Sequence, residues 1–413
     1  MTRVELITVG DELLSGLVLN SNVGRVADAL AAVGLSLKVV CDVSDDIEEI
    51  VAAALAATDR ADVVLFSGGL GPTSDDLTRD ALAQAAGVEL DFDPEVAERL
   101  RARYAEWGIP MPEQVLRQAE VPRGAELLPN PRGSAPGLSM RIRGARVLAL
   151  PGVPGELQAM LEGSVVPMLA ELVPGPELVT TMLRSALVGE STIAETVAEV
   201  QARAEKDGVK FAFLPNLGDV RIRLTGPATA VAAAEQEVAD VLGPIVYSRD
   251  GRPIDQVVHG LLRERGATVA VAESLTGGMV GAALTEMAGS SATFLGGVIV
   301  YATPAKAELG VDAALLAERG PVDAEVAGQL AERVRERFGA TYGLACTGVA
   351  GPEPVGDYPA GAVFVALAGP DGVRVQRRDL PPRRDFVRAL TVLAVLDLLR
   401  RELLGLPLEP ARM

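Results

Sequence analysis

Histidine is nearly missing from this chain. His259 is the only one, which excludes multi-histidine metal sites and leaves a single imidazole for any serine–histidine pair. Cysteine is as scarce, with Cys41 and Cys346 far apart. The pair excludes a disulfide framework and a four-cysteine zinc site, and it suits a reducing cytoplasm. Lysine occurs only at Lys38, Lys206, Lys210 and Lys306, so nearly every other cation is arginine. Basic charge is itself short: 38 Lys and Arg stand against 56 Asp and Glu, a net charge of −18. That argues against non-specific binding to DNA, RNA or an anionic membrane, all of which need a basic face. No apolar run reaches ~20 residues without a charge or turn residue, so no membrane span is expected. The opening residues 1–9 lack the pattern of a secretory signal.

What the chain has is length and apolar content. At ~150 residues per domain, 413 residues imply two to three domains. Hydrophobic residues make up 49%, so the chain is globular rather than disordered. Residues 4–9, 36–43, 61–67 and 146–150 read as strands, rich in β-branched and apolar residues. Helices are expected from Asn20 or Ser21 to about Leu30, from Asp45-Asp46 onward, from Asp75-Asp76 onward, and up to Leu172. Such alternation predicts an α/β domain with a parallel sheet covered on both faces. Pro174-Gly175-Pro176 reads as a linker. Beyond it the order is strand 179–188, helix 192–204, strands 210–214 and 219–225, and helix 228–242, a small α+β module. A second junction is expected near residues 248–253. The last block reads as helix 254–265, strand 267–272, strand 294–301, helix 322–338, strand 341–346, strands 361–368 and 372–379, and helix 384–404. The predicted domains are therefore 1–172, 173–247 and 248–413.

Two clusters carry chemistry. In the first, Gly68-Gly69-Leu70-Gly71-Pro72-Thr73 follows a strand and precedes a helix, where backbone N–H groups suit a phosphate. Asp75 and Asp76 come next, and Asp11 lies at the end of the first strand. Carboxylates beside a phosphate repel it unless a divalent cation bridges the two. Ligands of open α/β sheets bind at this strand edge. In the second cluster, Ser274 falls between a buried strand and a glycine-rich helix start, as nucleophile turns do, although a plain helix cap would look the same. His259 is a poor base for it: on its helix it falls opposite the apolar stripe and reads as a solvated surface residue. Lys306 is the better base, since a buried lysine can lose its proton and an arginine cannot. Tyr301 lies five residues earlier, and Thr347–Pro352 offers another strand-end glycine loop.

Over essentially its whole length the chain resembles the CinA family of competence/damage-inducible proteins. The resemblance rests on GDELLSG (10–16), SGGLGPTSDDLT (67–78), LPGVPGE (150–156), AESLTGG (272–278), Tyr301 with Lys306, TGVAGP (347–352) and Arg384. It implies an N-terminal domain like the molybdopterin-binding MoaB/MogA fold, with ADP-ribose pyrophosphatase activity that needs a divalent metal of the Mg, Mn or Co class. A monovalent cation such as potassium is admitted beside it. It implies a C-terminal domain similar to PncC, the deamidase that converts nicotinamide mononucleotide (NMN) to nicotinate mononucleotide and ammonia without a cofactor. The family is homodimeric. By motif, Ser274 matches the nucleophile, Tyr301 and Lys306 its activating partners, and Thr347 a residue of the active-site loop. Arg384, Gly277, Gly278, Gly348 and Gly351 are the expected substrate-binding residues there. Gly68, Gly69, Gly71, Thr73, Asn20 and Asn130 are their counterparts at the first site, with Asp11, Asp75 and Asp76 as metal ligands. Leu275 and Thr303 depart from the family pattern, at positions that carry no proposed chemistry. The middle module resembles a KH-like topology but has Gly189-Glu190-Ser191-Thr192 in place of the GxxG loop, so direct nucleic-acid contact is not expected. The alternative is a nucleotide-sensing adaptor that acts through a protein partner in competence or recombination, or an N-terminal domain that only binds a molybdopterin-like ligand.

Overall fold

The computed structural model describes residues 2–172 and 178–408. The expected linker Pro174-Gly175-Pro176 lies outside the described residues. The chain divides into two compact units, Met1–Thr180 and Thr181–Met413. Among the described residues no helix is long and apolar enough to cross a membrane.

In the first unit, Val4–Val9 and Val63–Ser67 are buried at every position. Strands that are apolar on both faces belong at the centre of a covered parallel sheet. The sheet order is Leu37–Val43, Val4–Val9, Val63–Ser67, Ala145–Leu150, Gly137–Ile142, Glu126–Leu128. The first four strands run parallel and the last two antiparallel. Leu6 lies opposite Leu65, and Leu65 opposite Leu148, in one core with Val26 and Leu30. Val64 and Phe66 point the other way, against Ile50 and Ala54 of helix Ile47–Thr58. Asp46 caps that helix, as expected, by accepting the Glu48 and Glu49 N–H groups at 2.9 and 3.1 Å. Between residues 87 and 145 periodicity predicts no element. There the structure has helix Pro94–Glu106, the 3-10 turn Glu113–Ala119, a separate two-stranded ladder of Leu90–Phe92 with Glu120–Pro122, and the two antiparallel strands that extend the sheet.

The parallel strands end together, so Gly10, Gly68 and Pro151 leave the sheet along one edge. Gly68 donates its N–H to the Leu150 carbonyl at 3.0 Å. Its φ is +111°, and a Cβ there would strike the Val9 carbonyl, so only glycine closes this corner.

The second unit holds two sheets. The four-stranded one runs Lys210–Asn216, Asp219–Pro227, Leu178–Ala186, Val246–Ser248, and includes helices Glu190–Ala204 and Ala228–Leu242 in its α+β module. The five-stranded one runs Phe294–Ile299, Val269–Glu273, Tyr342–Gly348, Ala362–Gly369, Gly372–Asp379. Its first three strands are parallel and its last two antiparallel additions. The 21-residue helix Arg384–Leu404 packs against it.

That helix also holds the α+β module. Arg400 and Arg401, both buried, flank Asp397 at 2.7 and 2.6 Å. Both also donate to the Pro244 carbonyl of the module's last turn, at 2.6 and 3.3 Å. One buried carboxylate thus orients two cations, the module's Pro244 carbonyl accepts from both, and Arg401 Nη1 donates to the Pro407 carbonyl beyond the helix at 2.9 Å. Removing the charge of Asp397 leaves two guanidinium groups buried without an ion-pair partner. Asp397→Asn is expected to lower unfolding stability of this unit by about 3–5 kcal/mol, read from urea melts; a loss below ~1 kcal/mol would show that the cluster does not hold the module.

Candidate active site

Strand Val269–Glu273 delivers Ser274 to the sheet edge, and its neighbour Phe294–Ile299 delivers the turn that carries Lys306. Lys306, on helix Thr303–Leu309, is 1% exposed. Its Nζ lies 3.1 Å from Ser274 Oγ, 2.7 Å from the Val300 carbonyl and 3.3 Å from the Tyr301 carbonyl. Among the described residues it has no ion-pair partner, and burial pulls its pKa down to about 8. With two N–H bonds directed to carbonyls, the third position on a neutral amine is a lone pair facing Ser274. That geometry lets the amine accept the serine proton.

A cavity of about 270 Å³ opens over this pair, bounded by Tyr301, Thr347, Gly348, Gly351 and Arg384. The structure thus brings together most of the residues expected at this site. Gly277 and Gly278 do not face the cavity. The Gly278 N–H instead donates to Glu273 at 3.0 Å. Tyr301 is 60% exposed, and its hydroxyl accepts from Arg384 Nη2 at 3.2 Å. Its contact with Lys306 runs through its backbone carbonyl. Arg384 also donates to the Gly351 carbonyl at 3.0 Å, so it sits at the cavity mouth. Thr347 is fully buried and donates its hydroxyl to the Pro321 carbonyl at 2.7 Å.

The nucleophile turn is held from both sides by residues that sequence reasoning missed. Glu273, 2% exposed, accepts from Thr276 Oγ1 and from the N–H groups of Gly278, Val280 and Gly281 at 2.7–3.0 Å. The helix-start N–H groups expected to face the site are therefore taken up by this carboxylate. Arg388 grips the opposite side, donating to the Leu275 and Thr276 carbonyls at 3.1 and 3.0 Å. Only a charged residue ending an otherwise apolar strand hinted at Glu273. Nothing in the local sequence marks Arg388. Cys346 lies beneath the turn, 3.2 Å from Thr276 Oγ1, and burial pushes its thiol up to about 11, so it stays protonated.

His259 is not the solvated surface residue expected. It is fully buried, because helix Met279–Thr285 and the 290–293 turn cover the polar side of its own helix. Its Nε2 bonds the Leu284 carbonyl at 2.9 Å and its Nδ1 bonds Thr293 Oγ1. Burial lowers its pKa, and both nitrogens are occupied. The expectation that it is no base for Ser274 is unaffected, but the reason is different.

In the first unit a cavity of about 510 Å³ opens on the glycine corner, bounded by Gly68, Gly69, Gly71, Asp75 and Asp76. Glu12, Asp45, Glu156 and the buried Gln118 also face it. Asp75-Asp76 do not open the next helix, which starts at Thr78. Instead the Asp76 carboxylate accepts from the Gly71 and Thr73 N–H groups, each at 2.8 Å, and from Thr73 Oγ1 at 2.5 Å. Those two N–H groups were expected to face a phosphate. Beneath the loop, buried Arg79 donates to the Leu70 and Gly71 carbonyls at 2.5 and 2.8 Å and fixes it from inside.

Asp11 lies beside the cavity, where it and Asp45 each accept the other's backbone N–H, at 3.2 and 3.0 Å. Burial first, and then the charges of Asp11, Glu12 and Asp75, raise the Asp45 pKa. Among the described residues no three His, Cys, Asp or Glu side chains converge as a ready metal site. Asn20 is not at the cavity: it donates to Thr8 Oγ1 and Asp42 Oδ1 at 2.9 and 2.8 Å. Asn130 ties its own loop to Glu156 at 2.7 Å.

Comparison with known proteins gives a consistent result. Residues 5–171 match the family model described as "Probable molybdopterin binding domain", and residues 252–403 match that of the "CinA C-terminal domain". A CinA-like protein of Frankia casuarinae is 45% identical, covering 98% of this chain and 97% of its own length. One of Myxococcus xanthus is 39% identical, covering 99% of this chain and all of its own length. Among solved structures, a CinA protein of unknown function from Thermoplasma acidophilum is 34% identical, covers 42% of this chain and 98% of its own, and has a TM-score of 0.37. With the N-terminal MoaB/MogA-like domain and the CinA C-terminal domain both present, and with relatives matched from end to end, this chain belongs to the CinA-like family.

Proposed function

We propose that the second unit is an amidohydrolase that deamidates nicotinamide mononucleotide through Ser274 and Lys306. The observation that carries the reading is the 3.1 Å approach of a buried, carbonyl-held lysine to a strand-end serine. Neutral Lys306 takes the Ser274 proton as Oγ attacks the carboxamide carbon. The resulting ammonium returns that proton to the amide nitrogen, the C–N bond breaks and ammonia leaves. Water then attacks the acyl-serine, giving its proton to Lys306, which passes it to Ser274 Oγ as the ester bond breaks, and nicotinate mononucleotide is released. Arg384, at the cavity mouth, supports phosphate binding by charge and by its planar fork. Glu273 and Arg388 position the turn, so that the serine meets both the carboxamide and the lysine.

We further propose that the glycine corner of the first unit hydrolyses ADP-ribose with a divalent cation. Carboxylate oxygens are the hard donors such a cation prefers, and Glu12, Asp45, Asp75, Asp76 and Glu156 all border the cavity. No three carboxylates converge there among the described residues, so Asp11, Asp45 and Asp75 would have to close on the cation to hold it. Asp76, expected as a ligand, is engaged by the loop and is read here as its brace. When bound, the cation would neutralise the diphosphate's charge.

Deamidation kcat/KM should rise with pH toward a plateau, with a midpoint near the Lys306 value of about 8, because the neutral amine is the reactive form. Lys306→Arg keeps the charge but cannot deprotonate, and should lose at least ~10²-fold in kcat; retained activity, or an unchanged pH limb in that variant, contradicts the lysine base. Arg388→Met should lower kcat about tenfold or more with KM little changed, as expected when a nucleophile is misplaced rather than a substrate contact removed. EDTA should abolish ADP-ribose hydrolysis and spare ammonia release from NMN, and Mg²⁺ or Mn²⁺ should raise the melting temperature of wild type more than that of Asp45→Asn. Equal EDTA sensitivity of the two reactions would contradict the division of labour.

A further inference from the structure

The cavity over Ser274 and Lys306 carries two exposed charges that meet no opposite charge. Arg384 and Glu353 both border it, and Glu353 is the only acidic residue among the described residues that does. Arg384 spends its N–H groups on the Gly351 carbonyl and the Tyr301 hydroxyl, at 3.0 and 3.2 Å. Glu353 lies two residues beyond Gly351, yet the carboxylate and the guanidinium do not pair with each other. Among the described residues Glu353 has no hydrogen-bond or ion-pair partner at all. Other exposed ions close by in the chain do pair, Arg377 with Asp379 and Arg383 with Asp385, each at 2.9 Å. Two opposite charges held apart on one rim suit a ligand that itself carries both signs.

The segment that carries Glu353 is anchored at both ends. At Gly351 it is held by Arg384. At Val355 it is held by a pair of backbone bonds exchanged with Tyr358, at 3.0 and 3.1 Å. Tyr358 in turn packs edge-on against Phe364, ring centroids 5.3 Å apart, with the Arg377 guanidinium over its ring. The base of the loop closes where the Gly361 N–H donates to the Val349 carbonyl at 2.8 Å. Asp357 lies on the same loop but does not border the cavity.

We propose that Glu353 selects substrates with a positively charged ring, pairing its carboxylate with the pyridinium of an N-ribosylated nicotinamide while Arg384 meets the phosphate. The inference rests on the reading of this cavity as a deamidase site and names how its substrate is recognised. The ring nitrogen of such a nucleotide is quaternary, so its charge is permanent and is spread over the ring that bears the carboxamide. With the carboxamide at Ser274 and the phosphate at the mouth, that ring lies between them. The apolar side chains available to it, Leu275, Val322, Val349 and Val355, pack a flat ring but offer no counter-charge. Glu353 supplies one. A reduced nucleotide of the same shape, with an uncharged dihydropyridine ring, gains nothing from it.

Reduced NMN (NMNH) keeps the ribose, phosphate and carboxamide but has a neutral ring. Nicotinamide riboside keeps the charged ring and lacks the phosphate. Binding of all three is read by titration calorimetry in the full-length Ser274→Ala protein, which lacks the attacking hydroxyl. Adding Glu353→Gln removes the charge and keeps the volume. It should raise the Kd of NMN and of nicotinamide riboside about three- to tenfold, the range for a partly exposed ion pair. It should not raise the Kd of NMNH. Asp357→Asn removes the same charge from the same loop outside the cavity, and should leave all three Kd values unchanged. With Ser274 restored, Glu353→Gln should raise KM for NMN by the factor seen in Kd, with kcat little changed. The proposal is overturned if NMN does not bind, if Glu353→Gln binds NMN like its parent, if NMNH is weakened as much as NMN, or if Asp357→Asn has the same effect. Should NMN bind in a Glu353-dependent way while wild type releases no ammonia, the charge pairing stands and the deamidase reading fails.

Discussion

Two backbone carbonyls, those of Val300 and Tyr301, set what Lys306 can do. They hold its amine at 2.7 and 3.3 Å inside an apolar wall, where no carboxylate among the described residues offsets its charge. Carbonyl dipoles orient an amine, but they compensate a full positive charge less than a carboxylate does. The balance therefore shifts toward the neutral form, and the remaining valence of nitrogen points at Ser274. A carboxylate in the same place would keep the lysine charged and remove its use as a base. The sheet edge, the 273–278 turn and the Arg384–Leu404 helix all serve this arrangement. Glu273 anchors the turn's N–H side, Arg388 its carbonyl side, and the same helix presents Arg384 at the cavity mouth.

The first unit handles charge in the opposite way. Its cavity gathers carboxylates, and its loop is already folded around one of them. Asp76 takes the Gly71 and Thr73 N–H groups, while Arg79 draws the Leu70 and Gly71 carbonyls inward. The loop is thereby held by its own side chains, and the acidic groups left at the cavity are those proposed to meet a cation. In the proposed function, one unit makes a base by withholding a counter-charge. The other, in the proposed function, crowds carboxylates where a cation would bind. Within the second unit, the Asp397–Arg400–Arg401 cluster applies a third solution, satisfying buried cations with one carboxylate and the carbonyls of the adjoining module.

Much of this was legible in the chain. Strands such as 4–9 and 61–67 carry apolar residues on both faces and announce a covered parallel sheet, and each glycine loop follows such a strand. Ser274, Lys306 and the Gly68–Thr73 loop stood out because residue scarcity and strand-end position are visible in one dimension. Three kinds of feature were not legible. His259 was misplaced because a helical wheel shows one buried stripe, and a second packing partner on the other side leaves no local trace. Asp76 looks like a helix cap, and only the folded loop shows its carboxylate turned back onto Gly71 and Thr73. Arg388 and Arg79 act on turns that lie 112 and 8 residues away, respectively, through bonds to backbone carbonyls, which carry no sequence signature. The region 87–145 was unread because its strands are short and its helix, with exposed Arg99 and Arg101, is only weakly amphipathic.

The central claim is that Lys306 is a base, and its ionisation can be observed directly. With four lysines in the chain, protein labelled with ¹³C or ¹⁵N at the lysine side chain gives four resolvable amine signals. The signal lost in Lys306→Arg identifies the residue. The account predicts that this signal titrates near pH 8, well below the ~10.4 of a free lysine. A Lys306 signal that stays protonated to pH 10 would contradict it.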